Sequence, residues 1–191
     1  WLSNNVDFIY SCVVYQEKIK AAGIAKLNIY LGAHDHPWDR EVIGGITAVK
    51  EMFYPSAIDN GREFFERSLS DVVANALYKL SSAGCMDRLC VGKVEEKVLS
   101  TNFVYSHVVS KFRRGTDGRR FVLSLETEFE SVRFVLLDVA REVKYRLLNF
   151  WPSPWVALMK LQSAEFTEDG RLQVVIRWHD GSERERWGRR V

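Results

Sequence analysis

The side chains able to do chemistry are few and scattered. In His34-Asp35-His36-Pro37-Trp38-Asp39 two imidazoles stand at i, i+2 after a short apolar stretch, a spacing that lets a single metal ion be held. Such sites draw further ligands from distant strand ends, and only His107 and His179 remain elsewhere in the chain. A polar loop whose Asp39 caps the next helix therefore outweighs a His34/His36 metal site. A Cys–His nucleophile would need Cys12, Cys85 or Cys90 beside His107 or His179, with an orienting group. Cys85 and Cys90 instead flank Met86 and Leu89 and read as small packing residues. No G-x-S-x-G, P-loop or G-x-G-x-x-G context occurs. Glu126, Glu128 and Glu130 alternate along one predicted strand, and with His107 and Tyr105 they could line a cavity for acid–base work. Three neighbouring like charges are more often a solvated face. No residue is assigned to catalysis, to a cofactor or to a metal.

The arginines are more suggestive. Arg113, Arg114, Arg119 and Arg120 surround a predicted hairpin tip, while Arg177, Arg184, Arg186, Arg189 and Arg190 accompany Trp178 and Trp187 near the C-terminus. Arginine interleaved with aromatic rings can bind phosphates, nucleic acid or anionic headgroups. A solvated, cross-strand-paired edge, on which Glu183 and Glu185 alternate with Arg184 and Arg186, is the better single reading of the residues alone. We take Arg113, Arg114, Arg119, Arg120, Arg184, Arg186, Trp187, Arg189 and Arg190 as candidate partner contacts. Trp151-Pro-Ser-Pro-Trp155 adds two rings in a rigid link, read as core first and partner anchor second.

Composition bounds the classes. The chain has 191 residues, 47% hydrophobic and 13% aromatic, with 27 Lys+Arg against 25 Asp+Glu. That is far from the regime of low hydrophobicity and high charge that leaves chains disordered. Charges interrupt every apolar run, so no transmembrane segment is expected. Three cysteines cannot all pair, which points to free thiols in a reducing intracellular compartment. The first residue is Trp1 rather than Met, so something upstream was processed, removed or left unnumbered, a cleaved transit peptide among the options.

The elements that must position these residues follow from periodicity. Residues 1–31 are mixed, with Val6 to Val14 fitting a strand or a buried helical turn and Leu27 to Leu31 alternating as a short strand. Asp39 is expected to cap a helix running to Phe53, weakened by Gly44-Gly45. Phe64, Phe65, Leu69, Val72, Val73, Ala76, Leu77 and Leu80 predict an amphipathic helix over 60–81, closed by Gly84 and followed by a shorter helix to about residue 99. The two should pack as a hairpin. Period-two patterning then predicts an antiparallel hairpin over 102–129 with its turn at Thr116-Asp117-Gly118. Val132 to Phe150 follows helical spacing and is expected as a helix stopped by Pro152 and Pro154. A meander closes the chain: strands over Val156–Phe166, Leu172–Trp178 and Glu183–Val191, with turns at Glu168-Asp169-Gly170 and Asp180-Gly181 and a charged last strand guarding a sheet edge. The expected class is α+β, with N-terminal helices packed on a curved antiparallel sheet, as one domain over 39–191 with an N-terminal extension over 1–38.

This order of elements resembles the cone-shaped fold of the nuclear transport factor and cystatin-like group. Within it, residues 27–99 resemble the mitochondrial domain shared by the import-motor membrane anchor, the large-subunit mitoribosomal membrane-anchor protein and the matrix AAA-protease-interacting protein. The resemblance is carried by Ile29-Tyr30-Leu31, Trp38-Asp39-Arg40-Glu41, Phe53, Gly61, Phe64, Phe65, Leu77 to Leu80 and the helix from Cys85 to Leu99. It implies a helix at Leu27–Leu31 and a non-catalytic adaptor in the mitochondrial matrix or on the matrix face of the inner membrane. Such an adaptor would dock a protein complex, a ribosome or its RNA, or an anionic lipid surface, with no catalytic residue to carry over. The expected function is thus a non-enzymatic binding or assembly module. The alternatives are a small-molecule isomerase, dehydratase or hydrolase of the same fold, and a structural subunit of a large mitochondrial assembly.

Overall fold

The computed structural model describes residues 4–32, 40–43, 45–53, 59–115, 117–128, 131–150, 153–177 and 183–190. The protein is α+β, with four helices and three sheets among these residues. They gather into two compact units, Val6–Phe103 and Val104–Val191 with Trp1–Asn5. The boundary expected at 38/39 lies inside the first unit.

In that unit α1 (Asn4–Gln16) settles the mixed N-terminal stretch as a helix, with Val6, Phe8, Ile9 and Val13 fully buried. The Tyr10 hydroxyl lies 2.9 Å from Ser70 Oγ, and burial pushes its pKa up to about 12. The strands β1 (Lys26–Gly32), β2 (Arg40–Ile43) and β3 (Ile46–Met52) form a sheet in the order β1-β3-β2. β1 runs parallel to β3, so Leu27–Leu31 is a strand and not the helix that the resemblance implies. The helix expected from Asp39 to Phe53 is likewise overturned, although Asp39 itself lies outside the described residues. Val42, Ile43, Ile46, Thr47 and Val49 are β-branched and lose rotamer freedom in a helix. Gly45 sits at φ 81°, a left-handed turn that no helix interior admits. The period is two: Thr47, Val49 and Glu51 are buried.

The helices α2 (Arg62–Ser82) and α3 (Arg88–Ser100) match the expected hairpin. Gly84, at φ 74°, lies in the turn between them, and Asp87 caps α3 by accepting from the Leu89 N–H at 2.7 Å. The Tyr78 hydroxyl donates to Glu95 across the pair at 3.0 Å. α2 also meets β3 and the residue that follows it: Lys79 pairs with Glu51 of β3 at 3.0 Å, and Phe65 meets Phe53 edge to face.

The second unit opens with an antiparallel meander in the order β4-β5-β6-β7: β4 (Tyr105–Arg113), β5 (Arg120–Glu128), β6 (Ser131–Asp138) and β7 (Val143–Phe150). The hairpin expected over 102–129 is present. The helix expected over Val132–Phe150 is not, because those residues form the β6–β7 hairpin. Their helical spacing is a by-product of burial: β6 buries Val132, Phe134, Val135, Leu136 and Asp138, so its pattern no longer alternates cleanly. Its turn has Glu142 at φ 56°, while Asp138 Oδ1 accepts the Ala140 N–H at 3.2 Å.

The strand expected over Val156–Phe166 is split into α4 (Pro154–Lys160) and β8 (Leu161–Phe166). Pro154 opens this helix rather than stopping one. Its fixed φ suits the first helical position, and Ser153 accepts the Val156 N–H at 3.4 Å as the cap. β8, β9 (Arg171–Arg177) and β10 (Glu183–Arg190) form the closing meander, with the charged last strand at an edge as expected. The turn expected at Asp180-Gly181 lies outside the described residues.

Candidate functional site

The β4–β5 tip divides its four arginines into two kinds. Gly118 adopts φ 70°, which closes the turn so that the Arg114 N–H donates to the Arg119 carbonyl at 2.9 Å. This brings Arg114 and Arg119 inward. Arg114 Nε donates to Asp117 Oδ1 at 3.0 Å, and its guanidinium lies 5.5 Å from the Phe121 ring centroid and 6.0 Å from that of Phe166. The Arg114 hydrogen bond holds the Asp117 carboxyl far below the usual carboxylate range. The Arg119 guanidinium lies 5.2 Å from the same Phe121 centroid and is ion-paired with Asp138, which is fully buried. Phe166 of β8 meets Phe121 at 4.9 Å and Phe112 edge to face. Arg114 ties the hairpin tip to the closing meander through Phe166, and Arg119 ties it to β6 through Asp138.

Arg113 and Arg120 differ. They are directly opposed cross-strand partners, both exposed, and among the described residues neither makes an ion pair. Antiparallel register assigns each residue to a face. Phe112, Phe121, Leu123, Leu125, Phe134, Leu136 and Asp138 share the buried face; Lys111, Arg113, Arg120, Val122, Ser124, Glu126, Glu128, Arg133, Val135, Leu137, Lys144 and Arg146 share the outer one, on which Val135 is nonetheless buried. There Lys144 reaches Glu126 at 2.8 Å and Arg133 reaches Glu128 at 2.6 Å. With both carboxylates matched, Lys111, Arg113, Arg120 and Arg146 are exposed cations without an ion-pair partner among the described residues. Lys111 and Arg146 were not among the expected contacts. Strand alternation through Arg113 exposes Lys111 in hindsight, whereas Arg146 was concealed by the helix reading of β7.

The same register separates the residues of the acid–base alternative. His107 lies opposite Leu125 and Tyr105 opposite Thr127, on the buried face, while Glu126 and Glu128 stand on the other. Burial lowers the His107 pKa, favouring its neutral form. Glu130 lies outside the described residues. Cys12 is buried in α1 with its thiol pushed up to about 11, a poor nucleophile. Among the described residues no group of three or more His, Cys, Asp or Glu is placed to hold a metal ion, and His34 and His36 lie outside them. The β10 backbone is paired from Glu183 to Arg190, but the side chains of Arg184, Arg186, Trp187, Arg189 and Arg190 lie outside the described set, as do Trp151 and Trp178. No described helix is long and apolar enough to cross a membrane. No family model, curated protein or solved structure matches the chain.

Proposed function

We propose that this protein is a non-enzymatic binding or assembly module that docks an anionic partner on the outer face of the β4–β7 sheet. One observation carries the reading: Arg113 and Arg120 are directly opposed and exposed, without counter-ions among the described residues. Like charges opposite one another on a sheet are destabilising. An anion seated between them turns that repulsion into two charge-assisted hydrogen bonds. The mitochondrial setting implied by the resemblance belongs to the same proposal, and imaging of the tagged native protein tests it.

Retention on a phosphate-bearing matrix tests the docking face. Arg113→Glu/Arg120→Glu is expected to elute at much lower salt than the parent protein. The control Lys18→Glu/Lys20→Glu alters net charge equally at two exposed positions of the first unit and should elute far closer to the parent. Equal losses in the two variants would assign retention to overall charge and remove the face from the proposal.

A further inference from the structure

Resting on that docking reading, we infer that the occupant of the basic face is the phosphodiester backbone of a nucleic-acid duplex, bound without regard to sequence. The four cations form an extended track rather than a point cluster. Arg113 and Arg120 are opposed at a Cα separation of about 5 Å, and Lys111 stands two residues along β4, about 7 Å away. Arg146 on β7 shares its row with Val135 and, through it, with Ser124. It therefore lies two strands across and four residues along from Arg120, about 17 Å by standard strand spacings. A duplex presents one negative charge per roughly 1.7 Å of axis, or about ten charges over that reach.

The rest of the face narrows the choice. Its described side chains include no aromatic ring, so it lacks the stacking platform on which single strands are held. Its apolar members, Val108, Val122, Val135 and Leu137, lie within the sheet, Val135 being buried, and among the described residues no Trp or Phe stands on this face to insert among acyl chains. Three of the four cations are within reach of the hairpin end, and arginine's planar fork suits phosphate oxygens. Glu126 and Glu128 stand toward the opposite end of β5, where like-charge repulsion limits the track.

Binding of a labelled duplex of arbitrary sequence to the full chain, followed by fluorescence polarisation as salt is raised, tests this. Four phosphate contacts predict a slope of log K against log salt of about −3.6, a loss of about 150-fold between about 50 and 200 mM. Arg113→Ala/Arg120→Ala should reduce the slope by about 1.8, and Lys111→Ala/Arg146→Ala by a similar amount. A second duplex of unrelated sequence should bind alike. Circular dichroism establishes that each variant is folded before it is scored. Duplex binding that ignores both double substitutions, or a slope shallower than about −1, overturns the inference. Phosphatidylserine vesicles or an acidic peptide bound through Arg113 and Arg120, with the duplex unbound, would also overturn it while leaving the docking reading intact. Failure of all three probes would remove both.

Discussion

Arg113 and Arg114 are neighbours in sequence, as are Arg119 and Arg120, yet each pair is divided between two environments. Arg114 and Arg119 have side chains only 12% and 17% exposed, spread over Phe121 and Phe166 and neutralised by Asp117 and Asp138. Arg113 and Arg120 face solvent with no counter-ion among the described residues. A basic cluster in a sequence is thus not one surface. The inner pair supplies the packing that holds the tip in shape, and the outer pair is displayed by it. The two roles require the same residue type for different reasons: a weakly hydrated planar cation for stacking inside, and a phosphate-matching fork outside.

That contrast is broken most directly at Asp138. Asp138→Ala leaves the largely buried Arg119 guanidinium with only the half-exposed Asp117 carboxylate at 3.9 Å, and is expected to cost about 3 kcal/mol in chemical denaturation. A cost below about 1 kcal/mol would mean that Arg119 is as free as Arg120.

His107 extends the contrast to pH. Its folded pKa lies below the ordinary 6.5, so the unfolded chain takes up the proton first. The contribution is fully present above 6.5 and is lost as pH falls through the folded value. His107→Gln should flatten that part of the acid slope of stability; an unchanged slope would place His107 in solvent, away from the buried face.

Glu126→Gln removes a partner from Lys144, which is 62% exposed, and should change stability by less than about 1 kcal/mol while strengthening polyanion binding. Smallest in stability is the outer pair: Arg113→Ala or Arg120→Ala should stay within about 0.5 kcal/mol by thermal melting. Their effect belongs to binding, and a large loss of stability would erase the distinction between the pairs.

Much of this was legible in the residues. The α2–α3 hairpin was readable because its buried faces recur at helical spacing, and the β4–β5 hairpin because period two and the Asp117-Gly118 turn agree. The β6–β7 hairpin was not, since β6 is apolar on both faces and its valines and leucines then fall by chance at i, i+3 and i+4. The Arg40–Met52 strands were obscured by a good capping residue placed before β-branched residues that a helix disfavours. Pro154 signalled a boundary whose direction only the Ser153 cap resolves.

By itself the sequence determined the α+β class, the helical hairpin, the arginine-rich tip and the charged closing strand, because propensity, periodicity and turn chemistry are local properties. Only the tertiary structure decided which arginines are displayed. Phe166 is drawn onto Arg114 from fifty-two residues away along the chain, and Asp138 onto Arg119 from nineteen. Register, not composition, then brings Lys111 and Arg146 onto the face of Arg113 and Arg120 and leaves Tyr105 and His107 on the other. Side-chain direction alternates along a strand, but which direction is solvent depends on what packs against the sheet, and those partners come from other strands.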